Sequence, residues 1–510
     1  MLAMISSIAL QGLEGVIVKV EIDVSTGLPG FDLVGLPDAA VRESKERVRA
    51  AIKNSGFEFP VKRITVNLAP ADIRKEGPMY DLPIAIGILA AGGQIDITSC
   101  SEYIFIGELS LDGTIREVSG SLPAALAARD KGYQKMVVPA ANAGEAALVQ
   151  GIDIYPAGSL NKLVAALKGE EELTVHRVEA QKLLAGSSRP LPDFADVKGQ
   201  MAVKRALEVS AAGGHNILMV GSPGSGKTML ARRLPGILPG LTFEEAVEVT
   251  KIHSLAGRLK PHQALVTERP FRAPHHSASA ASLIGGGRIP RPGEVSLAHH
   301  GILFLDEILE FRKDVLESLR QPLEDGIVSI TRVQSSLTYP AQIMLVASAN
   351  PCPCGFYGDS TRECTCTPHQ IRRYLRRLSG PLLDRIDIHI EVSRVEYSDL
   401  ENAPPGEPSA VIKARVEQAR NIQRQRFSKN KAVSCNAQMP GPLVRKHCIT
   451  SPRARELLKS AFTQLQLSAR SYDKILKIAR TIADLAGRET IAAEHMAEAL
   501  QYRRLEANLF

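Results

Sequence analysis

Apolar and polar residues alternate through Val16–Val24 (VIVKVEIDV) and again through Arg63–Leu68 (RITVNL). That two-residue period predicts half-buried strands. Val41–Ile52 instead carries its apolar residues among charges at helical spacing, and Leu82–Ala91 (LPIAIGILAA) is apolar enough for a buried helix. Residues 1–180 therefore read as an α+β region. Residues 181–196 (QKLLAGSSRPLPDFAD) combine glycine, serines and prolines and read as a linker. From 197 to 395 short apolar runs alternate with helical patterns, as in a parallel α/β sheet. Residues 401–408 (ENAPPGEP) form a second break, and residues 396–510 carry amphipathic helical patterns such as Ala410–Arg426 and Tyr472–Ala486. The fold class expected is a multidomain α/β chain with a helical carboxyl-terminal region.

Three of the apolar runs end in residues with chemistry. Asn216–Val220 (NILMV) leads into Gly221, Ser222, Pro223, Gly224, Ser225, Gly226, Lys227 and Thr228, followed by a helical segment from Met229 to Leu234. Strand, glycine-rich loop and helix are the context of a phosphate-binding loop. Glycines let backbone N–H groups turn inward around an anion, and the helix start adds partial positive charge. Lys227 would reach the β- and γ-phosphates of ATP, and the Thr228 hydroxyl would ligate Mg²⁺. Gly301–Leu305 (GILFL) ends in Asp306 and Glu307. Asp306 would hold Mg²⁺ through water, and Glu307 would polarise the attacking water. Ile343–Ala347 (IMLVA) ends near Asn350, which could orient that water. Pro381–Asp387 (PLLDRID) offers Arg385 either as an arginine finger across a subunit boundary or as an ion-pair partner of Asp384 or Asp387.

Composition adds limits. With 44% apolar and 23% charged residues among 510, disorder throughout is excluded, and the length suggests about two to four domains. A formal net charge of +7 is compatible with a nucleic-acid partner without requiring one. No run of about 18 apolar residues predicts a membrane span, and MLAMISSIAL lacks the basic start of a secretory signal, so a cytoplasmic protein is expected. Four of seven cysteines crowd together as Cys352, Cys354, Cys364 and Cys366. They read as a zinc site on two short arms, or as four reduced cysteines in a loop, with His369 as a substitute ligand. Cys100, Cys435 and Cys448 are isolated. Ile371–Arg377 (IRRYLRR) groups Arg372, Arg373, Arg376 and Arg377, which suits DNA phosphates, a solvated helix face or a subunit interface.

The order GSPGSGKT, GILFLDE, Ser348–Asn350 and PLLDRID resembles AAA+ ATPases of the magnesium-chelatase-like and MCM-like group. Arg269–Ser279 with Gly293–His300 resembles that group's helix-2 insert, and Gln321–Arg332 its hairpin before the third strand. Across essentially the whole chain the sequence resembles the YifB/ComM family. That resemblance implies a Lon-protease-like (ribosomal S5 domain 2-like) α+β domain at 1–180, an AAA+ module at 197–395 and a helical lid at 396–510. It further implies a ring, a hexamer, with Arg385 serving a neighbour's nucleotide and Arg470, in Ser468–Arg470, sensing phosphate. By the same resemblance Arg272, His275, His276, Arg288, Arg291 and Arg332 face a central channel and contact DNA, single-stranded or branched. The segment matching the Lon nucleophile turn, Lys75–Asp81, has Met79 in the serine's place, and Ser119–Ala124 has no lysine. Peptidase activity is therefore not expected. The leading expectation is a DNA motor, a helicase promoting branch migration during natural transformation. A chelatase-type protein remodeller and an ATP-dependent protease are the alternatives, the latter disfavoured by the missing dyad.

Overall fold

The computed structural model describes residues 2–509 apart from 180–182, 185–190, 261–262, 288–289, 333–334, 360–361, 395–405, 431 and 465–467. Most of the expected breaks at 181–196 and 401–408 thus lie outside the described residues. The chain forms two compact units. One comprises Met1–Ser187, Thr242–Thr267 and Thr331–Tyr339; the other comprises Ser188–Leu241, Glu268–Ile330 and Pro340–Phe510.

The first unit is built on a seven-stranded mixed sheet. Its strands run in the order Gly30–Val34, Arg63–Ala69, Glu14–Ser25, Leu2–Gln11, Tyr103–Phe105, Lys135–Pro139 and Asp153–Ala157. Leu2–Gln11 pairs antiparallel with Glu14–Ser25 from Leu2↔Asp23 to Gln11↔Glu14, while the last three strands run parallel. Leu2–Gln11 sits at the middle of this sheet. Five consecutive residues, Met4 excluded, are buried from Ile5 to Ala9, so both of its faces are covered. The helices Asp81–Ala91 and Ser121–Asp130 pack against it, the former with every residue buried. The helix Phe243–Leu255, although it follows the phosphate loop in sequence, packs on Ser121–Asp130, and Gly120 N–H bonds Ser254 O at 3.1 Å.

The second unit holds a five-stranded sheet, parallel throughout, in the order Phe271–Arg272, Ile302–Leu305, Met344–Ala349, Ile217–Val220 and Ile388–Glu391. Ile217–Val220 is an interior strand and all four of its residues are buried, as expected for a parallel strand covered on both faces. One hydrophobic core joins this sheet (Ile217, Met219, Val346, Ile388) to the helices Met201–Gly213, Ser409–Phe427, Ala469–Leu485 and Ala493–Leu509 through Ile412, Val416, Ile475, Ile478 and Met496. The carboxyl-terminal helices are therefore part of the sheet's core. This mixed α/β architecture with a helical carboxyl-terminal region fits the class read from the sequence. Among the described residues no helix is long and apolar enough to cross a membrane.

Candidate functional site

The carboxyl ends of the parallel strands gather the predicted nucleotide residues. Gly221 leaves the strand Ile217–Val220 with its N–H bonded to Ala349 O at 3.1 Å. Gly224 and Gly226 adopt φ of 80° and 92°, left-handed backbone that a side chain would strain. The turn delivers Lys227 and Thr228 to the first turn of the helix Lys227–Arg233. The Lys227 ammonium donates to Gly221 O at 2.6 Å, Ser222 O at 2.9 Å and Asn350 Oδ1 at 3.3 Å. Burial lowers its pKa, while the Asp306 and Glu307 carboxylates oppose that shift.

The strand Ile302–Leu305 brings Asp306 to the same place. Thr228 Oγ1 donates to Asp306 Oδ2 at 2.8 Å. Ser348, from the neighbouring strand, donates its hydroxyl to Asp306 Oδ1 and accepts the Glu307 N–H at 2.9 Å. Ser348 thus fixes the spacing of the two acidic residues. Only the serine's membership in the Ser348–Asn350 pattern was visible in the sequence; its bridging part depends on the two strands lying side by side. Glu307 is exposed and has a φ of 51°, uncommon for a residue with a side chain. Thr228 and Asp306 place two oxygen donors side by side, a set chemically suited to Mg²⁺, which takes few protein ligands and keeps waters.

The two candidate arginines lie elsewhere. Arg385 precedes the strand Ile388–Glu391 and so sits at the amino ends of the sheet. Its guanidinium donates to Arg320 O at 3.1 Å and Pro381 O at 2.6 Å and pairs with Glu324. The carboxylate partner is Glu324, not the sequence-adjacent Asp384 or Asp387. Arg470 reaches the same Glu324 at 3.6 Å. Burial, then Arg470 and Arg320, push the Arg385 pKa down. The length of the strand Ile217–Val220 separates this cluster from the chain's own phosphate loop by roughly 13 Å, at about 3.3 Å per residue.

Asp387 and its neighbours form a buried knot that the sequence did not signal. Asp387 pairs with Lys474 Nζ at 2.8 Å and with His215 Nδ1 at 3.4 Å, and accepts Asn216 N–H at 3.2 Å. His215 Nε2 meets Thr481 Oγ1 at 2.8 Å. Asn216 also donates to Arg385 O and accepts from Leu345 N–H. Burial raises the Asp387 pKa, but Lys474 and His215 outweigh it and hold the carboxyl well below the ordinary range.

The sulfurs of Cys352, Cys354, Cys364 and Cys366 all lie within 4.8 Å of one another. Cys352 and Cys354 are 3.3 Å apart, and Cys364 stands 3.7 Å and 3.6 Å from them. None of the seven cysteines is in a disulfide. Tetrahedral zinc with Zn–S bonds of about 2.3 Å requires sulfurs about 3.8 Å apart, so this cage fits that ion with little adjustment. Backbone N–H groups of Tyr357 and Cys366 point at the sulfurs of Cys352 and Cys364. His369 is outside the cluster. Thr367 then caps the helix Pro368–Leu375, which buries Ile371, Tyr374 and Leu375 and leaves Arg372, Arg373, Arg376 and Arg377 exposed. Arg377 bonds Leu309 O and Glu310.

Of the other expected DNA contacts, Arg272 is committed to a two-bond pair with Glu294, at 2.6 and 2.8 Å. The His275 and His276 rings lie close together, tilted by 35° with centroids 4.0 Å apart, and Arg291 is exposed. Arg288 and the side chain of Arg332 lie outside the described residues. In the first unit Met79 is buried at the position matched to a nucleophile.

Comparison with known proteins bears on the whole chain. Residues 193–400 match the family described as magnesium chelatase, subunit ChlI; residues 20–142 match subunit ChlI of Mg-chelatase, and residues 406–503 its carboxyl-terminal part. Competence protein ComM of Haemophilus influenzae is 45% identical over 99% of this chain and 98% of its own length. YifB of Escherichia coli is 44% identical over 99% of this chain and 97% of its own. The magnesium-chelatase 38 kDa subunit of Rhodobacter capsulatus is 26% identical over 43% of this chain and 63% of its own. Near-complete coverage by two relatives, over a sheet that gathers the loop, the acidic pair and Asn350 at the carboxyl ends of its strands, places the chain in the YifB/ComM family of magnesium-chelatase-like AAA+ ATPases.

Proposed function

We propose that this protein is an ATP-hydrolysing ring motor that acts on single-stranded or branched DNA, a helicase promoting branch migration. The observation that carries the ATPase part is the pairing of Lys227 with Asn350 and of Thr228 with Asp306 at the carboxyl ends of neighbouring strands. Lys227 and the loop N–H groups bind the phosphates. Thr228 and Asp306 would hold Mg²⁺, which would supply neutralisation of charge on the transferring phosphoryl group. Glu307, held by its N–H on Ser348, accepts a proton from the attacking water, which Asn350 orients. Arg385 and Arg470, at the far end of the sheet, act on the nucleotide of the next subunit in a hexamer.

Two features support DNA as the substrate: the exposed arginines of the helix Pro368–Leu375, and the competence name of the relative that matches end to end. The four cysteines hold a structural zinc ion. The first unit keeps a Lon-like fold without peptidase chemistry, because a buried thioether at Met79 cannot form an acyl-enzyme. A chelatase-type remodeller is the second reading, favoured by the Rhodobacter relative but weakened by its partial coverage. Strand displacement on a forked substrate separates the two. Wild type is expected to unwind it with DNA-stimulated ATP turnover, and Lys227→Ala and Glu307→Gln to fail. Wild-type turnover indifferent to DNA, with no DNA binding at low salt, would overturn the motor reading.

A further inference from the structure

The cysteine cluster and the phosphate loop touch at two points. The strand Met344–Ala349 ends at Asn350, whose Oδ1 accepts from Lys227. Five residues later Gly355, at φ 86°, lies directly against Pro223. A Cβ on Gly355 would stand 2.6 Å from Pro223 Cδ and 2.7 Å from Cγ, closer than carbon atoms approach. Cys352 and Cys354 lie between these two contacts. Cys352 is fully buried, and its carbonyl accepts the Gly355 N–H at 3.0 Å in a tight turn. The segment 350–355 therefore lies along the loop that binds ATP, with two sulfurs pointing away toward the second arm, Cys364 and Cys366. Nine residues separate the arms in sequence. The four sulfurs meet where the arms meet, all within 4.8 Å of one another.

We propose that a zinc ion at Cys352, Cys354, Cys364 and Cys366 clamps the phosphate loop and thereby sets the affinity for nucleotide. The inference rests on the metal reading of the cysteines and adds a task to it. With the ion bound, the first arm has one position, so Gly355 holds Pro223 and Asn350 holds Lys227. Without it, the two arms lose the bonds that fix one to the other, and the loop loses a wall. Phosphate binding by backbone N–H groups depends on their direction, and a displacement of about 1 Å can cost about a hundredfold in function. Groups that orient a site from behind commonly contribute roughly ten- to a hundredfold. Gly355 is a positioning residue in this scheme: it touches the loop and not the nucleotide.

The test uses the full chain and two variants, Cys364→Ser/Cys366→Ser and Gly355→Ala. The double variant alters only the arm remote from the loop. Metal content is read by plasma mass spectrometry, and nucleotide affinity by titration with a fluorescent ATP analogue. Wild type is expected to carry about one zinc ion per chain. The double variant is expected to lose it and to bind the analogue about tenfold more weakly or worse. Chelated wild type should show the same loss, reversed by adding zinc back. Gly355→Ala should keep its zinc and still bind the analogue more weakly, because the new methyl group displaces Pro223. Wild type without metal would overturn both the metal reading and the clamp. A zinc-free double variant with wild-type affinity would overturn the clamp alone and leave the metal site standing. If the double variant does not melt cooperatively, Gly355→Ala decides: zinc bound and affinity unchanged would overturn the clamp.

Discussion

The two ends of the parallel sheet handle buried charge in opposite ways. At the carboxyl ends Lys227 donates to three carbonyl oxygens, at 2.6, 2.9 and 3.3 Å, two from its own loop and one from Asn350. At the amino ends Lys474 is closed into an ion pair with Asp387, which His215 and Asn216 also serve. A lysine resting on neutral oxygens gains when phosphate oxygens replace them, because charge then meets charge. An ion pair already closed and buried has nothing to gain from exchange and much to lose from a missing partner. One end is arranged to trade partners and the other to keep them. Arg385 complicates the contrast. It sits at the amino ends and is paired with Glu324, yet it is the residue we propose to act on a neighbouring subunit's nucleotide.

The largest effect should come from that exception. Arg385→Ala is expected to lower ATP turnover by roughly 10³–10⁵-fold while leaving nucleotide binding to its own loop intact. Mixing it with Lys227→Ala protein should restore some turnover, since one interface in the mixed ring then has both an intact loop and an intact arginine. No recovery, with mixed assembly confirmed, would return Arg385 to the structural side of the comparison. Asp387→Asn should come next, costing about 3–5 kcal/mol of stability by leaving Lys474 buried without its counterion. Because the folded pKa of Asp387 is depressed, its contribution is present above the unfolded value of about 3.9 and is lost as pH falls below it. Wild type should therefore lose stability more steeply than Asp387→Asn on acidification through that range; parallel acid-unfolding curves would contradict the assignment. The smallest effect belongs to the exposed arginines. Arg376→Ala should weaken DNA binding modestly and reduce the slope of log affinity against log salt by about 0.7–0.9, the loss of one phosphate contact. An unchanged slope would make that helix face merely solvated.

How much of this was legible in the chain follows from how local each feature is. The phosphate loop is contiguous, and each of its residues is needed in order, so GSPGSGKT announces itself. Val16–Val24 and Arg63–Leu68 were readable because one side of each strand is more exposed than the other. Leu2–Gln11 gave no such alternation. It lies mid-sheet with both faces covered, and Ser6 and Ser7 are accommodated inside by hydrogen bonds to Tyr133 and to Phe105 O. The partner of Arg385 was misjudged among near neighbours because Glu324 is distant in sequence and arrives only through folding. Ser348 and the Asp387–Lys474–His215 knot were hidden for the same reason: single polar residues on separate strands and helices leave no pattern. The cysteine cage was half legible. Its spacing suggested a metal, but the contact of Gly355 with Pro223 could not be read from spacing.

The first unit draws on three separate stretches of chain, the last ending at Tyr339. A ribosome delivers the amino terminus first. The unit containing residue 2 therefore cannot be completed until residue 339 has been synthesised, after the phosphate loop and the Asp306–Glu307 pair have already emerged. Cutting the gene at the apparent linker near 187 would likewise strip this unit of Phe243–Leu255, whose Ser254 carbonyl receives the Gly120 N–H. Order of appearance in the gene is thus a poor guide to where either unit ends, and neither can be lifted out with a single pair of scissors.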